Sequence, residues 1–210
     1  MKTIALALTL VALARPGLAQ DPRLERLAPD ARPMVATLID SARAAGLPVE
    51  PLVLRALEGT SKGAPASLIA AALRRLAGDL GRAREALGPA AEPAELAAAA
   101  DALRAGASAG VLLRLREALG ARQLAVPLGV TADLTTQGVP ADSAATLVIG
   151  LAQSVADAEL LALQRDVERD IALGASPLAA ASGRFTNMDA ATPTSVSGQP
   201  TSGPPVRRKP

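Results

Sequence analysis

This chain has no cysteine, histidine, tryptophan or tyrosine, and its one aromatic side chain is Phe185. Each absence closes a class of chemistry. Without thiols there are no disulfides, so bridges say nothing about redox compartment. Without His and Cys the usual ligands of zinc, copper and haem are missing. The imidazole base and the thiolate nucleophile go with them, so neither a metal nor a cofactor is expected. Lysine is also scarce: Lys62 is the only one between Lys2 and Lys209.

What remains is aliphatic. Half of the 210 residues are hydrophobic, enough for one domain with a sizeable core. Burial falls to Leu, Val, Ile and Ala, each covering little area. Ala lets helix axes approach closely and is the strongest helix former, which favours an all-α fold before any periodicity is considered.

The N-terminus reads as an export signal. Met1-Lys2-Thr3 is a short basic start, Ile4 to Ala14 is apolar apart from Thr9, and Gly17-Leu18-Ala19 is the small-x-small pattern that precedes cleavage at Gln20 or Asp21. The apolar run is too short for a bilayer, which needs ~20 residues, so no transmembrane segment is expected after cleavage. Removing residues 1–19 takes away Lys2 and Arg15, two of the 22 basic residues, and leaves 20 against 20 acidic. The export reading places the protein in the periplasm or outside the cell.

Helical periodicity follows. Residues 20–32 form a lead-in or one short helix, the stretch from Asp21 to Pro33 holding three prolines. An all-α domain over 33–181 then contains about seven to eight helices, as an irregular antiparallel bundle or a stack of helical hairpins. Helices are expected from Pro33 to Ala45, Pro48 to Glu58, Pro65 to about Leu87, Pro93 to Ala105, Ser108 to Gly120, Pro140 to about Val155 and Asp157 to Leu173. Around Leu124 to Gln137 the helix either begins at Pro127 or kinks there. On the long third helix Gly78 and Gly81 admit a bend, and Arg75, Asp79 and Arg82 face outward. A last short helix spans Ser176 to Ala181. Residues 182–210, rich in Ser, Thr, Pro and Gly and carrying Arg184, Arg207, Arg208 and Lys209 against Asp189, read as a disordered tail.

A phrase of glycine, small or apolar residue, then Pro or Ser recurs at Gly46, Gly63, Gly106, Gly138 and Gly174. Such a glycine closes a helix in the left-handed conformation while the next residue packs back, as Leu47 does after Gly46. The intervals are too uneven for a solenoid repeat. The corner from Gly59 to Pro65 is the longest and most polar, and Glu58, Ser61, Lys62 and Gly63 are the candidate binding residues. The Walker phosphate pattern is not met, because Lys62 precedes Gly63 instead of following it. Amides near Gly59 to Gly63 could form a small anion nest, and Glu58 and Lys62 could pair.

The phrase Leu47 to Ser61, LPVEPLVLRALEGTS, resembles the catalytic-glutamate segment of lytic transglycosylases. That resemblance implies cleavage of peptidoglycan with Glu58 as the catalytic residue. Gly59-Thr60 intervenes where that family has Ser directly after Glu, and its Gly-Leu-Met-Gln signature does not follow. Gly138-Val139 with Ser143-Ala144 resembles the turn of a helix-turn-helix DNA reader. A mature chain near zero charge without a basic recognition helix argues against nucleic acid as a partner. The carboxylates Asp166, Glu168 and Asp170 alternate with Arg165 and Arg169, the pattern of a solvated helix face.

The sequence therefore predicts an exported structural or protein-interaction module of the bacterial cell envelope, not an enzyme. Its expected partner is an envelope protein or a wall polymer. The alternatives are a peptidoglycan hydrolase using Glu58, or a periplasmic carrier of a small molecule or lipid.

Overall fold

Short apolar periods punctuated by glycine and proline leave no stretch with strand alternation, and the computed structural model has helices and no strand among its described residues, 21–120 and 122–191. The expected signal, residues 1–19, and the tail beyond 191 lie outside them. A 3-10 helix, Pro22–Arg26, precedes nine α-helices: α1 Arg32–Ala44, α2 Glu50–Ser61, α3 Ala66–Leu87, α4 Pro93–Ala105, α5 Ala109–Leu119, α6 Ala125–Thr136, α7 Ala141–Ala152, α8 Asp157–Ala172 and α9 Pro177–Ala191.

The helix ends follow the glycine phrase. The amides of Leu47, Ala64, Val139 and Ala175 each reach five residues back, to the carbonyls of Ala42, Gly59, Leu134 and Asp170, at 2.9–3.0 Å. That bond requires the intervening glycine to be left-handed, as Gly46 is at φ +70° and Gly138 at +97°. At the other ends, Ser108 Oγ accepts the Val111 amide at 3.3 Å, the N-cap the sequence implies for α5. Glu159 reaches back to accept the Ala156 amide at 2.8 Å.

The described helices fall into two compact units that divide after Arg104, within the span 33–181 that the sequence alone reads as one domain. The division coincides with the Gly106 phrase, which looks in sequence like the corners that lie inside a unit. In the first unit α1 and α2 pack on α3, and Leu24 and Leu27 of the lead-in are buried with Val35, Leu52, Leu73 and Leu80. Asp79 is buried as well, paired to Arg82 at 2.6 Å, rather than facing outward.

In the second unit α6 contacts α7 and α8, and Leu128, Val130, Thr131, Ala132 and Leu134 bury it on most of its circumference. Thr131 sits in that core by donating to the Pro127 carbonyl at 2.8 Å. Pro127 neither starts nor kinks α6. It is the helix's third residue, inside the first turn, where amides have no intrahelical acceptor and a missing N–H costs nothing. The helix expected to end at Ala181 continues as α9, because Phe185 is buried and Arg184 makes a two-bonded fork to Asp170 at 2.6 and 2.8 Å. Composition alone read those residues as tail.

Two glycines in helices carry opposite consequences. A Cβ on Gly59 would lie 2.8 Å from Cγ1 of buried Ile69, so α2 and α3 meet there at a distance only glycine permits. Gly78 and Gly81 face open space within an unbroken α3. Gly78→Ala and Gly81→Ala should each stabilise by about 0.5–1 kcal/mol. Gly59→Ala gains the same propensity but overpacks the contact, which costs about 1–3 kcal/mol, so it should be net destabilising. Urea midpoints of the three variants check the signs.

Arg122 holds the α7–α8 junction. Its guanidinium donates to the carbonyls of Ala152 and Val155, the latter at 2.9 Å, and pairs with Asp157 at the start of α8. Arg122→Ala should cost about 2 kcal/mol in the same urea experiment, as expected for half-buried bonds from a charged donor. Arg122→Lys should recover only part, since an ammonium cannot fork.

Candidate functional site

The corner expected to run from Gly59 to Pro65 is shorter in the structure. Gly59, Thr60 and Ser61 remain in α2, and the non-helical link is Lys62 to Pro65. Glu58 and Ser61 therefore belong to the last turn of a helix, Lys62 is its C-cap, and Gly63 is the left-handed residue at φ +66° that ends it.

Each polar group in the corner has a local partner. Lys62 Nζ donates to Glu58 Oε1 at 2.6 Å, and Arg55 donates to Glu58 Oε2 at 2.8 Å. Ser61 Oγ donates to the Glu58 carbonyl at 2.8 Å, and Thr60 Oγ1 to that of Ala56 at 3.1 Å. The amides of Lys62, Gly63 and Ala64 all turn inward, to the carbonyls of Glu58, Thr60 and Gly59. The anion nest considered from sequence therefore has none of these three amides to offer.

The electrostatics follow from those bonds. The Lys62 ammonium, then Arg55, then the more distant Arg104 hold the Glu58 carboxyl below the ordinary carboxylate range, against a small opposing effect of burial. Asp170 is held low in the same way by Arg184.

Beyond the corner the structure assembles a groove that sequence reasoning missed. Two adjoining cavities of ≈ 320 and ≈ 370 Å³ lie on the first unit and share Arg55 of α2, Leu76 of α3 and Arg104 of α4. Glu58 and Asp101 belong to one, Arg75 and Asp79 to the other. The separate signals were legible: Arg55–Glu58 and Asp101–Arg104 are ion pairs three residues apart on single helices. Their convergence from three helices was not. Among the described residues no group of three or more His, Cys, Asp or Glu could hold a metal ion, and no helix is long and apolar enough to cross a membrane.

Compared with models of protein families, with curated proteins and with solved structures, the chain matches none. Its functional reading rests on this geometry and on the sequence.

The depressed carboxyls set a pH dependence. Groups held low in the folded state contribute stability that is complete above their unfolded values, near 4, and lost as pH falls through the folded ones. Urea midpoints should stay level from pH 7 to about 5 and drop below about 4. Asp170→Asn should lower the neutral plateau and shrink the acid drop, since it removes one of the groups that titrates.

Proposed function

We propose that this chain is an exported structural or protein-interaction module of a bacterial-type cell envelope, with no catalytic role. The state of Glu58 carries the reading. A glycosidase acid must be protonated near neutral pH, which takes a raised pKa in an apolar setting. Glu58 is instead a 42%-exposed carboxylate bonded by two cations, one of them its own helix's cap, Lys62. Ser61, the other residue of the transglycosylase-like phrase, donates back into α2. These are the bonds of a helix end, and the charged groups around it suit recognition. The export half of the proposal rests on the basic start, apolar run and Gly17-Leu18-Ala19 of the sequence.

Mature protein incubated with peptidoglycan should release no muropeptides above buffer. Release that disappears in Glu58→Gln would overturn the proposal in favour of a hydrolase. Expressed with its own N-terminus in a bacterial host, the protein should be recovered from the periplasm or medium beginning at Gln20 or Asp21. Full-length protein confined to the cytoplasm would remove the envelope assignment.

A further inference from the structure

We propose that the groove of the first unit, where α2, α3 and α4 contribute Arg55, Arg75 and Arg104, receives an acidic, partly apolar segment of a partner protein. The proposal rests on the interaction-module reading and names the chemistry of its partner.

Charge is the first ground. The groove's carboxylates are already held: Glu58 by Arg55 and Lys62, Asp101 by Arg104, and Asp79 by Arg82. Counting the two outer partners, five cations surround three carboxylates. Arg75 is exposed and has no hydrogen-bond or ion-pair partner among the described residues. Arg55 and Arg104 each meet their carboxylate through a single terminal nitrogen. A guanidinium carries five N–H donors in a planar fork, so all three can take a further carboxylate.

The surface between the arginines is the second ground. Leu54, 53% exposed, stands at one side of the groove, and Leu76 belongs to both cavities. A leucine open to water beside fixed positive charge matches a chain in which acidic and apolar side chains alternate, a recurrent mode of acidic-motif recognition. The groove draws on two exposed arginines and the half-buried Arg55 rather than on an enclosed pocket. A small free anion would stay largely in water there, whereas a peptide segment covers Leu54 and reaches several guanidiniums together. The chain's own basic end, Arg207-Arg208-Lys209, has the wrong sign to be the occupant.

The test is fluorescence anisotropy of the mature protein with a labelled dodecapeptide of glutamate and leucine. The same peptide with lysine for glutamate serves as the sign control. The glutamate peptide should bind and the lysine peptide should not. Arg75→Glu should weaken binding tenfold or more, Leu54→Ala several-fold, and 0.5 M salt should weaken it strongly. Arg165→Glu, the same charge change in the other unit, should leave it unaltered. Arg75 makes no bond among the described residues, so its variant should keep the wild-type urea midpoint. Equal binding of both peptides, indifference to Arg75→Glu, or full displacement by equimolar octanoate would overturn the assignment. Such a failure leaves the envelope-module reading standing, since that falls only on glutamate-dependent muropeptide release or retention in the cytoplasm.

Discussion

The way a helix ends governs this molecule. The hydrophobic part of its core has one aromatic ring and is otherwise Leu, Val, Ile and Ala among the described residues, so enough area is buried only when many short helices lie close together. Short helices mean many ends, and every end leaves carbonyls without intrahelical donors. The amide five residues further on, at Leu47, Ala64, Val139 and Ala175, supplies one donor while reversing the chain within a few residues. The neighbouring helix then arrives near enough for contacts such as Gly59 on Ile69. The turn makes the close packing possible, and the close packing holds the turn.

Arginine completes what the turns leave open. All but three of the 22 basic residues are arginine, and their forks reach across element boundaries to carbonyls at helix ends. Arg32 donates to Leu27 and Glu25 behind the lead-in, Arg84 to Gly46 after α1 at 2.5 Å, and Arg122 to Ala152 and Val155 after α7. A cation at a helix C-terminus also meets the negative end of the backbone dipole. Lysine, a point charge on a flexible stem, cannot satisfy two carbonyls and a carboxylate together as Arg122 does. The near-absence of lysine is thus a structural property of the chain as much as a compositional one.

Features that depend on a few neighbouring residues were legible in the sequence. The helix positions from Pro33 to Leu173, the corner glycines, the Ser108 cap and the Glu58–Lys62 pair all follow from local spacing. What failed was decided by partners far along the chain. α9 runs beyond Ala181 because Asp170 and the α7–α8 surface receive Arg184 and Phe185; residue by residue that stretch has the composition of a tail. Gly59 looks like a stop signal but stays helical, since what it serves is Ile69 on another helix. The groove was hidden because its charges read as independent pairs on single helix faces.

The groove and the corner share one physical character, which bears on what kind of function this scaffold can support. Catalytic acids and bases need dry, apolar surroundings that push a carboxyl up or a cation down. An all-aliphatic core could provide such surroundings, yet Glu58 and Asp170 lie where cations reach them, and both shift downward. Charges kept in water and pinned by neighbours do little to lower a reaction barrier. They do present a fixed pattern of donors to an approaching surface, and fixed geometry is what selects one partner over another when each ion pair contributes little. Ion pairs to Glu58 and Asp101 hold Arg55 and Arg104 in such a pattern at low entropic cost, while Arg75 beside them keeps its donors open. The economy that lets small side chains fill the core therefore also preorganises the surface.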